Sequence, residues 1–72
     1  MHRQPVQSTA LQSIGYDAKA KILELEFRDN GDVWQYFGFT QSAYKKFIQS
    51  ASLGRFFVEK VKGKYPELKI NG

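Results

Sequence analysis

The spacing of hydrophobic positions along the chain changes once. In residues 22–28, Leu23, Leu25 and Phe27 alternate with Glu24, Glu26 and Arg28. That period of two marks a strand with one buried face. An earlier alternation sets Ile14 and Tyr16 against Ser13 and Gly15 in LQSIGYD, and DVWQYFGF, Asp32 to Phe39, makes a third strand-like run. From Thr40 the period lengthens. Tyr44, Phe47, Ile48 and Ala51 recur at i, i+3, i+4 and i+7, which predicts a helix with Thr40 as N-cap and Lys45 and Lys46 off the apolar stripe. Ser52 suits the N-cap of a second helix, LGRFFVEKVKGKY. Its Leu53, Phe57 and Val61 form an i+4 row with Phe56 beside them. Gly63 weakens the last turn and Pro66 blocks continuation.

Asn30-Gly31 lies between two strand-like runs, and such a pair predicts a two-residue type I′ hairpin. In that register Asp29 faces Asp32, Phe27 faces Trp34, Leu25 faces Tyr36 and Phe37 falls opposite Glu24. Opposite residues share a face of the sheet. Trp34 and Tyr36 are therefore expected in the core, and Phe37 on the polar face, with Phe39 unassigned at the strand's end. Glu24 and Glu26 read as a solvated strand face. Strands followed by helices predict an α+β fold: a three-stranded antiparallel β-meander followed by two α-helices packed on one face. Residues 1–7 and 66–72 read as flexible tails, the last six either adding a strand or fraying.

Composition narrows the class. With 72 residues the chain forms a single domain, 1–72, and a domain of that size has a small core. The aromatic share of 15% compensates, because rings bury much area per residue. There is no cysteine, which excludes disulfides and thiolate metal sites. No apolar run reaches the roughly 20 residues of a membrane span, and the N-terminus has no hydrophobic signal region. A cytoplasmic protein without membrane association is expected.

The net charge of +4 is unevenly placed. Before residue 40, Arg3, Lys19, Lys21 and Arg28 face five acids. From residue 40 on, Lys45, Lys46, Arg55, Lys60, Lys62, Lys64 and Lys69 face only Glu59 and Glu67. The positive charge belongs to the helical half, and such asymmetry favours an anionic partner. Catalytic constellations are lacking: His2 is the only histidine, no nucleophile has a base, and no glycine-rich phosphate loop occurs. The expectation is a protein that is not an enzyme and takes no cofactor or metal.

The order SIGYD, LELEF, aromatic-x-aromatic strand, Tyr44 and ASLGRFFVEKVKGKY resembles the KTSC domain, over about residues 8–65. That family is named for a C-terminal module of some lysyl-tRNA synthetases and also occurs as small stand-alone proteins. Its Tyr-x-Tyr strand corresponds here to Trp34-Gln35-Tyr36. The other matching positions are Tyr16, Gly54, Phe56, Phe57, Val61 and Tyr65. This chain has Phe39-Thr40 where the family commonly has Val-Pro, and Val58 where it often has Asn. The resemblance implies RNA binding only through the synthetase context.

Two functional readings follow. The first is a small non-catalytic module that binds RNA or another nucleic acid, with Lys45, Lys46, Arg55, Lys60, Lys62 and Lys64 on phosphates and Phe37 stacking a base. No RRM or KH signature supports it. The alternative is a protein-interaction or accessory module without nucleic-acid binding, its partner a protein or a second copy on the open sheet face.

Overall fold

The computed structural model describes residues 1–71, which fold into a five-stranded antiparallel sheet covered on one face by a helical layer. The strands are β1 (Gln4–Pro5), β2 (Leu11–Asp17), β3 (Ile22–Phe27), β4 (Val33–Phe37) and β5 (Glu67–Lys69), and they lie side by side in chain order. Between β4 and β5 run the helix α1 (Gln41–Ile48) and the short helix α2 (Leu53–Phe56), which continues into a wide π-helical turn, Phe57–Val61.

The expected meander of three strands is thus the centre of a larger sheet. The missing signals are short. β1 has two residues and β5 three, too few for an alternation to register, yet both pair in register with their neighbours. The expected tails 1–7 and 66–72 accordingly contribute edge strands, β1 and β5, with Gly72 outside the described residues.

The central register differs from the expected one by two residues. Trp34 lies opposite Leu25, Tyr36 opposite Leu23, and Phe37 opposite Ile22 rather than Glu24. The cause is the turn. A type I′ turn needs positive φ at both Asn30 and Gly31. Only Gly31 has it, at 73°. Phe27 N–H instead donates to Asp32 O at 2.8 Å and Gly31 N–H to Phe27 O at 3.0 Å, which leaves a four-residue loop. Arg28 is drawn to the other side: its guanidinium donates to Ser8 O, Gln12 Oε1, Val6 O and Leu11 O. A shift of two preserves the faces of a sheet. Trp34 and Tyr36 therefore still point inward.

The inward residues of β2, β3 and β4 meet Phe47 of α1 and Phe57 and Val61 of the π-turn in one core. Leu11 and Phe39 belong to it as well, and Phe39 is only 1% exposed. Both helices start where expected, with the Thr40 and Ser52 hydroxyls accepting from Ala43 and Arg55 N–H. Ile48 and Ala51, expected on the buried stripe of the first helix, are both exposed: α1 has only eight residues, ends at Ile48 before Ala51, and buries Phe47. Tyr16 links sheet to helix. Its ring stacks on Tyr44 at 4.3 Å between centroids, and its hydroxyl donates to Phe39 O at 2.6 Å.

The outer sheet face departs from the solvated surface the Glu-rich pattern suggests. Glu24 is 3% exposed. The N-terminal segment crosses this face, and Arg3 forms an ion pair with the Glu24 carboxylate. Gln35 donates to the other Glu24 oxygen at 2.8 Å, Arg3 to Ser13 at 3.0 Å, and Ser13 to Glu26 at 2.8 Å. A buried carboxylate is tolerable because each oxygen has a donor. Gly15 provides the room: a Cβ there would sit 2.9 Å from His2 O and 3.0 Å from Arg3 Cγ.

Candidate binding cleft

The inner face is incompletely covered. The helical chain leaves the sheet after Val61, where Lys62 N–H closes the π-turn on Phe57 O at 2.8 Å and the backbone turns extended at Lys62. Gly63, at φ 75°, then reverses the chain toward β5. A cleft of about 530 Å³ opens between this corner and the sheet. Phe27, Trp34, Tyr36 and Phe57 form its apolar lining, and Asn30, Asp32, Lys62 and Glu67 supply the polar groups. A largely apolar concavity with a few convergent polar groups is the usual form of a small binding site.

The lining is ordered by the core behind it. Phe57 makes edge contacts with Phe27 at 5.2 Å and Tyr36 at 5.6 Å between centroids, which holds those rings. Trp34 belongs to the same cluster but remains partly exposed. The Tyr36 hydroxyl is held above its ordinary titration range, first by burial and second by the Glu67 carboxylate opposite it on β5. It therefore stays protonated and can donate a hydrogen bond. Asp32 is bridged by Lys69 at 3.4 Å, so Glu67 is the less compensated carboxylate of the cleft.

The expected binding residues are divided among four places. Lys62 lines the cleft, and Lys60 and Lys64 are exposed on the same chain segment. Lys45 and Lys46 are exposed on α1. Arg55 is engaged by Glu59 at 3.5 Å, as its i+4 spacing suggests. Phe37 lies on the outer face: it follows the inward Tyr36 by one residue, and successive strand side chains alternate. The lysines belong to the helical layer on the inner side, so the structure does not bring Phe37 together with them. Trp34, expected in the core, packs against it but stays partly exposed and lines the same cleft as Lys62. Its partial exposure follows from the cleft, which opens where the chain turns at Gly63 toward β5.

The remaining matching positions are structural. Tyr65 meets Phe39 edge-on at 4.9 Å, Phe56 lies 5.3 Å from Phe47, and Gly54 admits Ala10, to which an added Cβ would come within 3.0 Å. Among the described residues no group of three or more His, Asp or Glu is placed to hold a metal, and no helix is long and apolar enough to cross a membrane.

Comparison with known proteins assigns this arrangement to a family. The model of the KTSC domain matches residues 7–65. The chain is similar to the crystal structure of a KTSC domain protein from Yersinia pestis, at 43% identity, covering 97% of both chains with a TM-score of 0.92. It is also 37% identical over 57 residues to an uncharacterized protein of Stutzerimonas stutzeri, covering 79% of each.

Proposed function

The chain belongs to the KTSC domain family, and from that premise and the cleft we propose that it is a non-catalytic module that binds single-stranded nucleic acid, RNA in particular. The observation that supports this reading is the placing of Trp34 in one cleft with Lys62, with Lys60 and Lys64 exposed along the same segment. An aromatic face takes a base of any sequence, and adjacent cations take the backbone. The stacking role passes from Phe37 to Trp34 in this reading, because Phe37 lies across the sheet from the lysines.

The carboxylates refine the pose. Asp32 and Glu67 would repel a phosphate inside the cleft, so the base enters and the phosphates stay outside, along Lys60, Lys62 and Lys64. Carboxylates accept from exocyclic amino groups, so adenine or cytosine is preferred over uracil.

Trp34 is the single tryptophan, which makes the test direct. Its fluorescence is followed on titration with oligo(A), oligo(C) and oligo(U) at two salt concentrations. Salt-dependent binding is expected. Lys62→Ala should lower the salt slope by about 0.7 if it loses one single-strand phosphate. Absence of salt-dependent binding at micromolar protein refutes the proposal. The protein-interaction reading rests on a different region, the β5 edge.

A further inference from the structure

We propose that the chain pairs with a second copy of itself through the free edge of β5, as an isologous antiparallel extension of the sheet. β5 is the outer strand of the β4–β5 pair, and among the described residues β4 is its only strand neighbour. Phe37 N–H donates to Pro66 O at 2.9 Å, and Ile70 N–H donates to Val33 O at 2.9 Å. These bonds fix the strand's polarity. The backbone groups of residues 66, 68 and 70 point toward β4, and those of Glu67 and Lys69 point to the free edge, because N–H and C=O directions alternate along a strand. Pro66 therefore does not spoil the edge: its missing N–H would face β4.

A two-fold axis through Leu68 sets Glu67 of one copy opposite Lys69 of the other, twice. These are the residues whose backbone groups are free, so each opposed pair exchanges two backbone hydrogen bonds. Their side chains lie on one face as opposed unlike charges, a favourable cross-strand pairing. Leu68 meets its own copy as the intervening pair. The charge order reads the same from both copies, as an isologous contact requires. Shifting the register by two places Lys69 opposite Lys69 or Glu67 opposite Glu67, so the same residues that favour this register disfavour its neighbours. Leu68 and Ile70, 54% and 42% exposed, lie on the outer face of this edge. On the other face, the partner's Lys69 would approach Glu67, the less compensated carboxylate of the cleft.

A three-residue edge makes a small contact, so the association is weak. Sedimentation equilibrium of the full chain from about 10 μM to about 500 μM covers the corresponding affinity range. A monomer–dimer equilibrium is expected for the unaltered chain, a monomer for Glu67→Lys, and a recovered dimer for Glu67→Lys with Lys69→Glu. Thermal melts confirm that each variant is folded. A second measurement does not depend on the charge swap. Leu68 sits at the dyad as a non-hydrogen-bonded pair, with Cα atoms about 4.5 Å apart, within the span of a disulfide. The natural chain has no cysteine. Leu68→Cys should therefore oxidise to a linked dimer at least about tenfold faster than Val58→Cys, an exposed control on the π-turn. A monomer throughout the concentration range, a dimer that survives Glu67→Lys, or equal oxidation rates for the two cysteine variants would overturn the proposal.

Discussion

Arg3 lies in a stretch that a reader of the sequence would trim, and removing its side chain is expected to be costly. Glu24 is 3% exposed, and Arg3 supplies its charge partner while its own side chain remains 28% exposed. In Arg3→Ala the carboxylate keeps only the Gln35 donor and loses its countercharge. Breaking a fully buried ion pair costs about 3–5 kcal/mol. This one is open on the arginine side, where water can enter and partly replace the guanidinium. The expected loss is therefore about 2–3 kcal/mol, in the range of a hydrogen bond to a charged group. In a domain of this size that lowers Tm by at least about 8 °C. Urea unfolding followed by Trp34 fluorescence measures it, with Glu24→Gln and the double variant completing a cycle. The double variant should be less destabilised than the sum of the single ones, because removing the charge removes the need for its partner. A loss below about 0.5 kcal/mol in Arg3→Ala, the size of an ordinary surface change, would refute the reasoning.

Other outcomes follow from the same structure. Gly15→Ala should displace the N-terminal segment, since its Cβ meets the His2 carbonyl, and its cost should largely vanish in a chain lacking residues 1–5; urea unfolding of both backgrounds decides. Gly54→Ala should be destabilising and partly rescued by Ala10→Gly, which removes the atom 3.0 Å away, as paired thermal melts would show. Tyr36→Ala, a buried ring, should cost about 3–5 kcal/mol, and Phe37→Ala clearly less; the reverse order in urea unfolding would mean that the sheet faces are exchanged. Tyr36 also sets an alkaline limit. Its folded-state pKa is raised, so above pH 10 the unfolded chain loses the proton while the folded chain keeps it. Its contribution is complete below that pH and declines by about 1.4 kcal/mol per pH unit above it. Tyr36→Phe should flatten that decline in urea melts at pH 9–11.

Much of the centre of this fold can be read directly from residue spacing. The alternations in β2 and β3, the helix starts at Thr40 and Ser52, and the inward set of Trp34 and Tyr36 all follow from local periodicity and capping. Asn30-Gly31 indicated a hairpin but not its loop length, because Arg28 is held by acceptors near β2 that lie far away in sequence. Glu24 looked solvated for a similar reason. Its burial depends on Arg3, 21 residues earlier, and alternation reports only that a face is polar, not whether something polar covers it. The cleft was the least legible feature. It exists because the chain departs from the sheet after Val61 and is turned back at Gly63 to return as β5, and a three-residue strand leaves no period to detect.

The position of β5 also governs how the molecule opens. The β1–β4 strands each pair with a neighbour in sequence, but β5 pairs with β4 across the whole helical segment. Closing a loop of about 30 residues costs on the order of 3 kcal/mol in chain entropy, beyond a fixed term. The helices are therefore tethered at both ends to one strand, and releasing β5 removes one tether. In native-state hydrogen exchange, the amides of α1, the π-turn and β5 should then open as a single cooperative unit, at lower free energy than the β2–β3 pair. Three exposed residues at the edge of the sheet would thus set the local stability of the entire helical layer.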